Sequence, residues 1–386
     1  MVSCTSFRTA PKRVLAWLFL SLGLGAAFAS CSLGPRTATI LVVSRDQSDT
    51  TSLNPSRLRI ASDLALRSSQ AIMAKGVRIR HKFITYAGED GEGIRAAEEY
   101  LKTDRSVIAL VGDIASPSTR LVAELADRKK LVHLSFFATD DTIFKEFPYS
   151  FSYRSTLEQE HNVIVGLLKQ HLKARRVVFF RTNNATINPR IAPMAEKLKA
   201  NGIALAVDKR YERDAVDFRE DIEKIDWTGI DAAMVLLSAV QTNHFLQQLQ
   251  NSGVRVPVYL STASLSVEAF PDMAPIGLEL YTLIPSMYKS LAEAADPDFA
   301  AFRSQYQIAM GNNKFDTGGL WSFDGFKLLH ELAQTAGTPE ELRRLLLGYR
   351  KKRLVGLVRF NDRGALEEST FELIRLKNGA YEVVQP

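Results

Sequence analysis

The stretch from Leu110 to Thr139 constrains this chain more than any other, because it sets the order strand, polar loop, helix, strand, polar loop. Ser106 to Val111 is a short, mostly apolar run that ends in Gly112-Asp113-Ile114-Ala115-Ser116-Pro117-Ser118-Thr119. The next residues place Leu121, Val122, Leu125 and Ala126 on one helical face and Arg120, Glu124, Asp127 and Arg128 on the other. A second apolar run, Leu131 to Leu134, ends in Ser135-Phe136-Phe137-Ala138-Thr139-Asp140-Asp141. Helical spacing bracketed by short apolar runs predicts a βαβ unit and a parallel sheet. Open parallel sheets bind ligands beyond the carboxyl ends of their strands, where both hydroxyl-rich loops fall.

The same alternation runs from Thr37 almost to the end. Strand Thr39 to Val43, helix Leu58 to Ala74, strand Val77 to Thr85 and helix Gly93 to Lys102 precede the central unit. After Tyr149 to Tyr153 comes a second block: helix Glu158 to His171, strand Arg176 to Phe180, helix Ile191 to Asn201 and strand Ile203 to Asp208. It continues with a helix near Phe218 to Ile225, strand Ala232 to Leu237, helix Asn243 to Asn251 and strands Val256 to Leu260 and Leu278 to Leu283. Helices Asp298 to Met310 and Trp321 to Thr335 come next, then strands Gly356 to Phe360 and Thr370 to Arg375, paired around the turn Asn361-Asp362-Arg363-Gly364.

Two blocks of like content predict an α/β chain with two doubly wound parallel-sheet lobes. At 386 residues and 46% hydrophobic content, the chain is long enough for two cores. No low-complexity linker separates the blocks, so the expected join is a strand-like hinge near Ser152 and Leu283. The expected partition is 37–152 with 285–355 as lobe 1, and 153–284 with 356–386 as lobe 2.

Residues 1–30 read as a secretory signal peptide, with Arg8, Lys12 and Arg13 before an uncharged apolar run from Val14 to Phe28. That run is short for a membrane span of ~20 residues, although an uncleaved anchor is the alternative. Ala27-Phe28-Ala29 fits a signal-peptidase site before Ser30, which would leave a soluble periplasmic protein. Ala29-Ser30-Cys31 fits a lipobox, in which Cys31 carries the lipid and 31–36 serve as anchor and linker. Cys31 is the only cysteine beyond the leader, which favours lipidation and excludes an intrachain disulfide or a thiolate cluster.

The leader carries three cations and no acid, so its loss lowers the net charge from +6 to about +3. That balance is too weak to point to nucleic acid. The one concentrated patch, Arg343, Arg344, Arg350, Lys351, Lys352 and Arg353, reads as a solvated helix end, with an acidic partner or anionic headgroups as the alternative. No nucleophile elbow, P-loop or zinc motif appears, and Gly91-Glu92-Gly93 reads as a turn and helix start. Histidines 81, 133, 161, 171, 244 and 330 are dispersed, and surface or structural roles suffice for them. Asp140 and Asp141 stand where a helix start favours negative charge. The expectation is a protein that binds rather than catalyses, without cofactor or metal.

Three segments together carry a family resemblance: Gly112-Asp113-Ile114-Ala115-Ser116, Ser135-Phe136-Phe137-Ala138-Thr139 and Pro148-Tyr149-Ser150-Phe151-Ser152-Tyr153-Arg154. They resemble type I periplasmic binding proteins, in particular the leucine/isoleucine/valine-binding proteins of branched-chain amino-acid ABC transporters. The similarity in element order extends from about Thr37 to Val384. It implies that Ser116 matches the serine that hydrogen-bonds the ligand carboxylate and Thr139 the threonine that shares this task. Phe137 falls where the backbone carbonyl of a small residue receives the ligand amine. Turn and cap roles are the alternative for Ser116 and Thr139, and the two readings are compatible because a helix N-terminus is an anion site.

The second lobe departs from the family's pattern. Asn183-Asn184-Ala185-Thr186 stands where an aromatic residue is common, Ser238 where a tyrosine is common, and Ser261-Thr262 where an acid meets the ligand ammonium. Burying an unpaired ammonium is costly, so a standard α-amino acid is not expected. Thr186, Ser238 and Thr262 are the expected lobe-2 contacts.

The resemblance implies an extracytoplasmic solute-binding protein that closes on a small polar or carboxylate-bearing ligand (an amino acid, amide or organic acid). It implies an ABC-type permease as partner, and Cys31 adds the membrane through its lipid. The alternative keeps the fold without transport, as an envelope lipoprotein regulator or ligand sensor. Ser32 after Cys31 fits outer-membrane sorting, which would favour that alternative.

Overall fold

Apolar runs that face water on neither side form the middle of the first sheet. In chain order its elements are β1 (Arg36–Arg45), α1 (Pro55–Ser68), β2 (Val77–Tyr86), α2 (Asp90–Thr103), β3 (Val107–Val111), α3 (Ser116–Lys129), β4 (Val132–Ser135), α4 (Asp141–Glu146) and β5 (Ser150–Ser152). The strands lie in the order β2-β1-β3-β4-β5, with β1–β3, β3–β4 and β4–β5 parallel. β3 and β4 are buried at every residue, as parallel strands covered by helices must be. β2 lies at the edge and begins in alternation, with Val77 and Ile79 buried and Arg78 and Arg80 exposed.

The structure, a computed structural model, describes residues 35–46, 55–70, 76–113, 115–184, 187–261, 277–285, 297–310, 317–377 and 380–385. Contacts divide the chain into Met1–Arg36 and Thr37–Pro386, and the two large sheets belong to the second unit.

The second sheet is built from the chain beyond β5. Helix α5 (Leu157–Gly166) is extended by a π turn over Leu167–His171. Then come β6 (Arg176–Thr182), α6 (Asn188–Ala200), β7 (Ala204–Tyr211), α7 (Arg219–Lys224), β8 (Ala232–Leu236), α8 (Ala239–Asn251), β9 (Val258–Leu260) and β10 (Leu280–Pro285). Their order, β7-β6-β8-β9-β10, repeats that of the first sheet strand for strand, and all four pairs are parallel. In both sheets the order reverses beside the first strand, which opens a crevice at the carboxyl ends. The two doubly wound lobes expected from the alternation are therefore present.

The remaining elements close the lobes. Helices α9 (Pro297–Met310) and α10 (Thr317–Ala333) pack on α1, and α11 (Pro339–Leu347) packs behind β3 and β4. Next is a hairpin of β11 (Arg350–Arg353) and β12 (Gly356–Arg359), and β13 (Phe371–Lys377) and β14 (Ala380–Val384) extend the second sheet antiparallel beyond β10. The chain thus passes between lobes after β5, after β10 and after β12. One apolar cluster runs through the junction, including Leu134, Phe136, Tyr153, Phe326, Phe179 and Tyr281.

Two expectations are corrected here. Gly356–Arg359 does not pair with the strand near residue 370; it pairs with Arg350–Arg353 through a tight turn at Leu354-Val355, while β13 pairs with β10. A hairpin closed by two residues needs less ordering than one closed by the nine residues 361–369. The expected turn at Asn361–Gly364 does form, but against β5. Ser152 N donates to the Gly364 carbonyl at 2.8 Å, and a Cβ on Gly364 would stand 2.2 Å from the Ser150 oxygen. The basic patch divides: Arg343 and Arg344 lie in α11, with Arg344 in its last turn as expected, whereas Arg350–Arg353 form a strand rather than a helix end, since α11 stops at Leu347. Arg353 is half-buried and donates to Asp324 at 3.2 Å, Glu331 at 2.8 Å and the Tyr349 hydroxyl at 2.7 Å. Arg350, Lys351 and Lys352 are exposed.

Candidate functional site

The loop after β3 is held from several directions. Gly112 has φ +143, and a Cβ there would lie 2.1 Å from the Val43 carbonyl oxygen, so only glycine lets the chain leave the sheet so close to β1. Asp113 is buried, and its carboxylate accepts from the Tyr86 hydroxyl at 2.5 Å and from Arg45 N at 3.3 Å. The Thr119 hydroxyl accepts from Asp113 N at 3.1 Å and donates to Asp113 O at 3.0 Å. Behind the loop, His133 donates from Nε2 to the Gly112 carbonyl and accepts at Nδ1 from the Ser150 hydroxyl at 3.1 Å. That pattern requires a neutral ring, and burial pushes His133 down to about 4, against the opposing effect of the Gly112 bond.

The loop delivers the chain to the start of α3. Ala115 occupies the cap position and offers no side-chain acceptor, and Pro117 lies in the first turn. Ser116 is half-buried, and its hydroxyl makes no hydrogen bond among the described residues. An uncapped helix start with a hydroxyl beside it is suited to an anion. The adjacent strand, β4, leads into the second loop. There Ala138 N donates to Ser135 Oγ at 3.1 Å, and Phe137 is half-buried, edge-on to Phe136 with ring centres 6.2 Å apart. Thr139 is buried, and its carbonyl accepts from Leu157 N at 2.7 Å. Asp140 caps α4 by accepting from Thr142 N at 2.9 Å, as its position predicts.

From the second lobe, Arg190 in the first turn of α6 donates from Nη2 to the Thr139 hydroxyl at 3.0 Å. Its Nη1 stands 3.7 Å from Glu160 Oε2, and Arg154 Nη2 donates to the other oxygen of Glu160 at 2.7 Å. Arg154 lies over the rings of Trp321 and Phe371, 5.2 Å from each centre. Burial lowers the Arg154 guanidinium, Glu160 offsets that, and Arg190 adds a like charge. Burial and the Glu160 charge push the nearby Tyr259 hydroxyl up. Two guanidiniums thus share one buried carboxylate at the edge of the crevice.

The region matched to known proteins spans this whole arrangement: residues 42–363 match the family model described as "Periplasmic binding protein". The chain belongs to the periplasmic binding protein family. No curated protein matches it. Among solved structures it is similar to the branched-chain amino-acid transporter substrate-binding protein LivJ from Streptococcus pneumoniae in complex with isoleucine. The two share 19% identity over 91% of this chain and 100% of that one, with a TM-score of 0.71. A branched-chain amino-acid ABC transporter periplasmic ligand-binding protein from Burkholderia xenovorans gives 15% identity over 90% and 94% of the two chains, with a TM-score of 0.73. A solute-binding protein from R. palustris in complex with benzoate gives 14% identity over 90% and 95%, with a TM-score of 0.68. At these identities the likeness is one of fold, and it bears out the type I resemblance.

Within this periplasmic binding protein, the expected site residues separate. Ser116, Phe137 and Thr139 lie on the two loops at the carboxyl ends of neighbouring strands. Ser238 is exposed and caps α8 in a reciprocal box with Gln241, its hydroxyl 3.4 Å from Gln241 N. Gln241 in turn accepts from the Thr182 hydroxyl at 2.7 Å and donates to the Glu212 carbonyl at 2.8 Å. Thr186, Thr262 and Cys31 lie outside the described residues. The sequence pattern does not mark Arg190 or Glu160 as site residues, and Arg154 enters it only as the last residue of a resembling segment. Nothing local to Arg190 distinguishes it, since its partner is 51 residues away. Among the described residues no helix is long and apolar enough to cross a membrane, and no cluster of histidine, cysteine and acidic residues is set to hold a metal.

Proposed function

We propose that this periplasmic binding protein captures a small polar or carboxylate-bearing solute between its lobes and presents it to an ABC-type permease. The observation that carries the reading is the meeting of Thr139 with Arg190. A hydroxyl on a strand-end loop of one lobe faces a side chain of the other, so a ligand between them would be touched from both sides. Ser116 and the Phe137 backbone would complete the first-lobe contacts, with Thr186, Ser238 and Thr262 as second-lobe candidates. The partition into 37–152 with 285–355 and 153–284 with 356–386 goes with this reading, because closure then bends the crossings near Ser152 and Leu283. The work is hydrogen bonding and exclusion of water. Two similar structures whose descriptions name isoleucine and benzoate support a ligand of this size.

The mature protein would act outside the cytoplasm, held to the membrane through a lipid on Cys31. A thermal-shift screen of purified protein against amino acids, amides, aromatic acids and short-chain acids tests the reading. A ligand at a hundredfold excess over its Kd adds about 2.7 kcal/mol to stability, enough for a clear rise in Tm. No rise with any small solute would overturn it.

A further inference from the structure

We propose that the amino edge of the first sheet is a docking surface for a bilayer carrying anionic headgroups. The membrane concerned is the one proposed to hold Cys31. β1, β3, β4 and β5 run parallel, so they all start at one edge. β2 starts there too, since Arg80 Nε donates to Thr39 Oγ1 at 2.8 Å near the starts and Asp46 N donates to the Tyr86 carbonyl at 2.6 Å near the ends. Cys31 precedes Thr37 by six residues, which span at most about 22 Å when fully extended. A lipid at Cys31 therefore holds this edge close to the headgroups.

Separate loops on that edge each contribute cations. Arg78 and Arg80 open β2, Arg105 comes just before β3, and Lys129 and Lys130 come just before β4. Arg343 of α11 donates to the Pro148 carbonyl at 2.9 Å and lies 5.1 Å over the Tyr149 ring, just before β5, with Lys130 over the same ring at 5.0 Å. The acids among them are occupied. Asp104 accepts from Arg80 at 2.5 Å, the Tyr100 hydroxyl at 2.6 Å and Ser106 N at 2.9 Å. Asp127 pairs with Lys130 at 3.7 Å and Glu340 with Arg343 at 3.6 Å. Arg78, Arg105 and Lys129 are exposed and make no ion pair among the described residues, and residues 71–75, which lead into β2, add Lys75 and no acid. An excess of positive charge around a half-buried tyrosine suits a headgroup layer.

The stretch that the sequence marks as basic is the weaker surface. Arg353 turns inward to Asp324 and Glu331, Lys351 pairs with Glu331, and Arg359 pairs with Glu367 at 2.9 Å, which leaves Arg350 and Lys352. The amino edge also lies at the opposite end of the strands from the crevice, so a bilayer seated on it leaves the cleft open to solute. Attachment through a few exposed cations is weak and screened by salt, and a tether makes it effective by raising the local concentration. The anchored protein thus has a resting pose, which it gives up to turn its cleft toward a permease.

The test is co-sedimentation of the purified mature protein carrying Cys31→Ser, so that no lipid contributes, with vesicles of phosphatidylcholine alone or with about one-quarter phosphatidylglycerol. The protein should pellet with the anionic vesicles at low ionic strength, stay in solution with the neutral ones, and be released by added salt. Arg105→Ser combined with Lys129→Ser should weaken the partition roughly ten- to thirtyfold, and Arg105→Lys with Lys129→Arg should retain it. Arg350→Ser with Lys352→Ser removes the same charge elsewhere and should leave the partition unchanged. Equal loss in the two serine pairs would reduce the effect to net charge and overturn the proposal. Indifference to phosphatidylglycerol, or retention on heparin without binding to any vesicle, would overturn it too. Wild-type protein isolated without a lipid would end the anchored reading, while the vesicle result decides the headgroup surface separately.

Discussion

Ser155 and Thr370 share three hydrogen bonds: Ser155 N donates to Thr370 Oγ1 at 3.1 Å, Thr370 N donates to Ser155 Oγ at 2.6 Å, and the two hydroxyls bond each other at 3.0 Å. Ser155 comes after β5 and Thr370 precedes β13, so the pair clamps two of the passages between lobes. Both residues are buried, and removing one hydroxyl leaves the opposite backbone N–H without its acceptor. Ser155→Ala should therefore destabilise the protein by about 1–3 kcal/mol. Urea denaturation monitored by tryptophan fluorescence checks this, and an unchanged midpoint would show that the clamp does not hold the native state together.

Stability should begin to fall with acid above the range in which ordinary carboxylates titrate. Burial pushes His330 down to about 3 and His133 and His161 each to about 4, with Arg190 and Lys197 adding to the effect at His161. An unfolded chain protonates its histidines near ~6.5, so between these values the unfolded state binds protons the folded state refuses. The sign is then fixed: the contribution is complete above about pH 6.5 and is lost as pH falls toward the folded values. His81 takes part, since its Nε2 lies 2.8 Å from that of His330 and only one of the two can donate. Tm measured from about pH 7.5 down to about 4.5 should drop continuously, and His330→Gln should start lower but slope less. A flat profile would mean that these rings charge without disturbing the fold.

Ligand affinity should depend jointly on the two strand-end loops. Ser116 and Thr139 lie just beyond adjacent parallel strands, and each hydroxyl bonded to a ligand carboxylate contributes about 1.5–3 kcal/mol. Ser116→Ala and Thr139→Val should each weaken a ligand from the screen by roughly ten- to a hundredfold. The double variant should lose less than the sum, because the two share one partner. Calorimetric titration with melting curves alongside gives both numbers, and unchanged affinity in all three variants would move the site elsewhere.

Cys31→Ser should release the protein from the membrane fraction without changing its Tm or its ligand affinity. Fractionation and mass spectrometry of the N-terminus check this. Wild-type protein that is already soluble and begins at Ser30 would show that the signal-peptidase site is the one used.

The sequence by itself determined the alternation of elements and the two lobes, because a strand buried on both faces must be an apolar run and a covering helix must show one apolar face. It also located the loops of Ser116 and Thr139, since their position depends on strand order alone. Where local pattern was ambiguous it misled: Arg350 to Arg353 carries charge suited to a helix end, yet a two-residue turn and the acids Asp324 and Glu331 make it a strand. Only the tertiary structure decided which distant groups share a carboxylate or a proton. Arg190 reaches Thr139 across 51 residues and His81 reaches His330 across 249. Periodicity records which face of an element is buried. The partner met there depends on how elements far apart in the chain pack together, within a lobe for His81 and His330 and across the lobes for Arg190 and Thr139, and a single strand or helix carries no trace of that.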